Sequence, residues 1–96
     1  MIINAKMANE RTQENIIARN EQIDKSFVFT QLLDKTYGVM LEAIAKGLYG
    51  CSTTVERSGE FSAHELANRL VYYLTEKGYK VDKLSNLLNI YLTIHW

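Results

Sequence analysis

Proline is absent from this 96-residue chain, cysteine occurs once, and no stretch approaches eighteen consecutive apolar residues. Each absence excludes something. Without proline, glycine is the only strong punctuation left, so helices run until a glycine or a cap stops them. A lone Cys51 forbids an intrachain disulfide and fits a reducing compartment. No apolar run is long enough to cross a bilayer as a helix, so no membrane partner is expected. The opening Met1-Ile2-Ile3-Asn4-Ala5-Lys6 has neither the apolar core nor the cleavage site of a secretory signal. Net charge is also missing, since eleven basic residues balance eleven acidic ones. Nothing electrostatic therefore draws the chain to phosphate backbones, and no nucleic-acid partner is expected.

What is present is a well-ordered composition, 47% hydrophobic, in a length that makes one small domain over residues 1–96. From Ala8 to Lys46 the only glycine is Gly38, and Asn9 is a suitable cap. Apolar residues recur there with helical period: Ile16, Ile23, Phe27, Tyr37, Leu41 and Ile44, with Asn20, Thr30 and Asp34 in the same seam. One long helix over 8–46 is expected, ending at Lys46-Gly47. Its weak point is Ser26-Phe27-Val28-Phe29-Thr30, where aromatic and β-branched residues lower helix propensity. Met1 to Met7 reads as a short arm or strand.

The next segment, 49–96, reads as a β-α-β-β unit. Tyr49 to Glu56 alternates as a half-buried strand, and Arg57 to Glu60 is a turn. Ser62 and Glu65 form a capping box, flanked by Phe61 and Leu66 as a hydrophobic staple. The helix so started buries Leu66, Leu70, Tyr73 and Leu74, and Gly78 ends it with Tyr79 folding back on Leu74. Tyr79 to Leu84 is a second strand and Ser85-Asn86 a turn. The third strand carries Leu88, Ile90, Leu92, Ile94 and Trp96 on one face, apolar enough to be central. The fold class is α+β. The expected sheet is mixed and three-stranded in order 1-3-2, its first and second strands parallel and non-adjacent, packed on the helices.

A helix over 10–46 would be about 55 Å long, whereas strands of six to nine residues span about 20–30 Å. The sheet can shelter Tyr37, Leu41 and Ile44 but does not reach Ile16, Ile17, Ile23 and Phe27. Either the helix breaks near Phe27 and folds back, or the stripe meets another chain. The second reading is favoured, with self-association its simplest form. Candidate interface residues are Ile16, Ile23, Phe27, Tyr72 and Trp96, with Tyr72 directed away from the inner face of its helix.

Catalytic signatures are missing. His64 sits in a first helical turn and His95 on a polar strand face; with Cys51 they lack metal-ligand spacing. Cys51 has no local base to activate it, and Glu56 and Glu60 flank a polar turn. No glycine-rich phosphate loop exists. No enzyme, metal or cofactor is expected.

Several segments together resemble a loose group of short uncharacterised bacteriophage proteins. They are Ala8-Asn9-Glu10-Arg11-Thr12, Glu42 to Tyr49, Lys77-Gly78-Tyr79-Lys80-Val81 and the closing strand Ile90 to Trp96. The Ser85-to-Leu88 turn and His95 depart from that pattern. The resemblance implies a viral setting, in the virion or the cytoplasm of an infected bacterium, and a small non-enzymatic part. It carries over no site residue. The expected function is a phage structural or assembly protein, a homo-oligomer or a companion of a larger virion protein. The alternative is a phage-encoded factor that binds a host protein or sequesters a small signalling ligand.

Overall fold

Asn4 caps the first helix by accepting the backbone N–H of Met7 at 2.9 Å. A computed structural model describes residues 2–86 and 89–96 of the chain. Helix α1 spans Ala5–Asp24 and α2 spans Phe27–Ala45; strand β1 (Gly50–Val55), helix α3 (Ala63–Glu76), and strands β2 (Lys80–Ser85) and β3 (Ile90–His95) follow. Of the expected arm or strand over residues 1–7, Asn4 is instead the cap and Ala5 to Met7 the first turn of α1, and the cap is Asn4, not Asn9. Met1 and Leu88, the latter assigned to the last strand from its pattern, lie outside the described residues.

The single helix over 8–46 is corrected to two helices, and one hydroxyl explains the break. Ser26 Oγ donates to the carbonyl of Ile23 at 2.6 Å and accepts the N–H of Phe29 at 3.1 Å. The same side chain thus closes the end of α1 and caps the start of α2. The bend redirects the seam. Ile23 is only 1% exposed, in the core with Phe29 and Met40, while Phe27 is 74% exposed. Along α2 the inward face is Phe29, Thr36, Met40 and Ala43, with Leu32, Leu33 and Tyr37 half-buried. Leu41 and Ile44, expected under the sheet, point away from it and are exposed.

The sheet has the expected order β1-β3-β2 with β3 central. It is antiparallel rather than mixed. Both ladders, Gly50↔His95 through Val55↔Ile90 and Lys80↔His95 through Ser85↔Ile90, run antiparallel. β1 and β2 point the same way, but β3 separates them and no parallel ladder forms. Ile90, Leu92 and Ile94 face the helices, joined by Val55 and by Leu66, Leu70 and Leu74 of α3. Burying each such side chain contributes about 1.5–3 kcal/mol. At the edge, Lys83 takes a helix-facing position and donates to Asn68 Oδ1 of α3 at 2.8 Å. An inward-facing lysine blunts an edge strand against pairing with another sheet.

Helix α3 forms as its sequence specifies. Glu65 N–H donates to Ser62 Oγ and Ser62 N–H to the Glu65 carboxylate. At its other end Gly78 adopts φ +93°, and the Tyr79 N–H reaches the Leu74 carbonyl at 3.1 Å.

Two substitution tests follow from this packing. Gly78→Ala lowers stability by about 1 kcal/mol, because alanine is strained at that positive φ, whereas Gly38→Ala, in open space on α2, raises it by about 0.5–1 kcal/mol. Thr53 Oγ1 is buried without a hydrogen-bond partner, so Thr53→Val raises stability by about 1–2 kcal/mol. Urea denaturation midpoints check all three variants.

Candidate functional site

The bend leaves α1 leaning away from α3, and the two helices enclose a groove of about 820 Å³. Its α1 wall carries Thr12, Asn15, Ile16, Arg19, Asn20 and Ile23; its α3 wall carries Glu65, Asn68, Arg69 and Tyr72. Successive helical turns place the first six on one face of α1, and spacings of three and four do the same along α3.

Two ion pairs hold the groove open at a fixed width. Arg19 Nε donates to the Glu65 carboxylate, and Arg19 Nη2 donates to the Glu60 carbonyl at 3.0 Å. The guanidinium also lies over the Phe61 ring, 4.7 Å from its centroid. Five residues on, Asp24 accepts a bidentate contact from Arg69 at 2.6 and 2.7 Å. Arg69 in turn lies 4.6 Å from the centroid of Tyr72. The charge order is reversed between the helices, basic then acidic on α1 and acidic then basic on α3. The Arg19 hydrogen bond is the main cause that holds the Glu65 carboxyl below its usual pKa.

Three of the five interface candidates converge here. Ile16 stands on the α1 wall and is 53% exposed, Tyr72 stands on the α3 rim, and Ile23 closes the inner end. Ile23 is already buried in the chain's own core, so it anchors α1 and offers no free surface. Phe27 lies outside the groove, at the joint between α1 and α2. Trp96 lies outside the groove, its ring edge-on to Tyr79 with centroids 6.2 Å apart and its backbone N–H donating to the Tyr49 carbonyl. Sequence reasoning missed the four clamp residues, Arg19, Asp24, Glu65 and Arg69. Their one visible signal is the reversed charge order, which has meaning only once the helices are known to be neighbours.

Elsewhere the chemistry is sparse. Burial pushes the Cys51 thiol pKa up, which makes it a poorer nucleophile at neutral pH. The Tyr37 and Tyr73 hydroxyls share a hydrogen bond at 3.3 Å; that bond, then burial, moves the Tyr37 pKa up to about 12. His95 Nε2 lies 3.5 Å from Asp82 on the exposed sheet face. Among the described residues, no group of three His, Cys, Asp or Glu side chains is placed to hold a metal, and no helix is long and apolar enough to cross a membrane. Comparison with protein families, with curated proteins and with solved structures returns no match, so nothing there links the chain to bacteriophage proteins.

The clamp makes stability depend on pH in a definite direction. A carboxyl with a lowered folded pKa adds stability above its unfolded value of about 4.3, and that contribution is lost as pH falls toward the folded value. Glu65→Gln keeps a capping side chain but removes the charge. It is less stable than wild type at pH 7, and the difference shrinks on acidification below about pH 4. Urea midpoints measured from pH 7 to pH 3 test this; a constant difference would exclude the ion pair as its source.

Proposed function

We propose that this chain is a non-enzymatic assembly protein that works by pairing with a second copy of itself along α1 and the α1–α3 groove. The observation that carries this reading is excess surface. The chain exposes 6949 Å², whereas a compact monomer of 11.1 kDa exposes about 5,650 Å². The excess, about 1,300 Å², is larger than the roughly 800 Å² each partner contributes to a standard interface. The radius of gyration is 15.7 Å, against about 12.5 Å for a compact chain of this length.

Most of α1 is the source. Ile23 and the two clamps fasten its last turns, while Met7, Ile16 and Ile17 along its earlier part are exposed. A lone helical segment of that length is marginal in water, and a neighbour that covers its apolar side stabilises it. The resemblance to short bacteriophage proteins supplies the setting: a small virion component or accessory, in the virion or in the cytoplasm of the infected host.

The groove volume falls in the range of small-ligand pockets, which favours the second reading, a factor that sequesters a small signalling ligand. Against it, both guanidiniums in the groove are already committed to carboxylates, so among the described residues that line it no free cation is left for an anionic ligand.

Sedimentation equilibrium tests the proposal. Wild type is expected at a multiple of 11.1 kDa, and Ile16→Glu at the monomer mass with unchanged helix content by circular dichroism. Wild type that stays monomeric at every concentration rejects self-assembly.

A further inference from the structure

The bend between α1 and α2 is concentrated in one backbone dihedral angle. Lys25 already has helical dihedrals, φ −89° and ψ −6°. Ser26 has a helical φ of −78°, and only its ψ of 147° is extended. Rotation of that one angle to about −42° makes Ala5–Ala45 a single helix about 60 Å long. Neither proline nor glycine stands at the joint to oppose it.

Straightening also restores a seam that the bent chain scatters. Ile16, Phe27, Leu41 and Ile44 fall on one 4-3 stripe with Ile23, yet all four are exposed in the bent form, and Phe27 the most. Phe27 sits at the joint, and joints are the segments two exchanging copies bring together. A short two-residue connection favours such exchange.

We propose that the self-pairing inferred above, on which this rests, occurs by exchange of α1. Ser26 turns helical in both copies, and each α1 docks on the α3 of the other, re-forming Arg19–Glu65 and Asp24–Arg69 between chains. The Ile23 contacts and both clamps are conserved in kind, so exchange costs no contact of α1. The Ser26 bonds of the joint are lost, while helix bonds across it and cover for the exposed stripe are gained. The groove becomes composite, with one wall from each copy.

Phe27→Pro locks the joint without disturbing the bent chain. Proline suits the first helical position, and it holds the preceding residue near ψ +120° to +160°, where Ser26 already lies. Phe27→Ala removes the same side chain but leaves the joint free to straighten. Exchange predicts that Phe27→Pro sediments at 11.1 kDa with native circular dichroism, while Phe27→Ala still pairs. Ser26→Ala, which deletes both bonds of the bent joint, tightens pairing by about tenfold. In a second experiment, Arg19→Glu and Glu65→Arg each place like charges at the clamp, and only an exchanged pair of unlike copies restores opposite charges. Native mass spectrometry of the mixture is expected to show mixed dimers well above the random proportion. A wild-type dimer that persists in Phe27→Pro, or mixing that gives only random proportions, overturns exchange and leaves self-assembly standing. Absence of any wild-type dimer removes the assembly reading itself.

Discussion

One hydroxyl group sets the shape of this molecule. Ser26 Oγ donates to the Ile23 carbonyl, which also accepts the Ser26 backbone N–H, and it accepts the Phe29 N–H that α2 would otherwise leave unpaired. With the backbone N–H groups of Lys25 and Ser26 closing α1 and the hydroxyl joining it to the first turn of α2, the chain turns within two residues and loses little backbone hydrogen bonding. The turn swings Ile23 and Phe29 into the core beside Met40. Ile23 then anchors the end of α1, and the two guanidinium–carboxylate clamps fix its angle to α3. The groove, the exposed earlier turns of α1 and the large surface all follow from that angle.

The rest of the chain supplies the rigid body against which α1 is set. Helix α3 is fully specified at both ends by its capping box and its glycine stop, and it lays Leu66, Leu70 and Leu74 on the central strand. Glu65 serves two purposes, closing the capping box and receiving Arg19. The start of α3 is thereby coupled to the position of α1. At the β2 edge of the sheet, Lys83 facing inward and bonded to Asn68 discourages strand addition there.

Self-assembly is the reading that accounts for most of these features together. Surface-exposed isoleucines on a marginal helix and a groove whose two guanidiniums are already paired with carboxylates are the features of a contact surface. The surface clamps contribute modestly to stability, since exposed ion pairs do. Their larger effect is on geometry and pairing specificity, because reversed charge order permits only one register between the helices.

Local chemistry was legible in the sequence wherever it acted over a few residues. Ser62 with Glu65, Gly78 with Tyr79, and the alternation through Ile90, Leu92 and Ile94 fixed α3, its stop and the central strand, because caps and pleats are decided by near neighbours. Even the weak point at Ser26 was visible. Its outcome was not: a helix continues or breaks by a small difference in free energy, and the burial of Ile23 and Phe29 tipped it. That burial depends on α3 and the sheet, which approach only in the folded chain. For the same reason a 3.5-residue pattern placed Leu41 and Ile44 under the sheet, while tertiary packing chose Thr36, Met40 and Ala43. Periodicity defines stripes on a helix, but only the position of the neighbouring elements decides which stripe is covered. The clamps Arg19–Glu65 and Asp24–Arg69 join residues more than forty positions apart, and no local rule reaches across that separation.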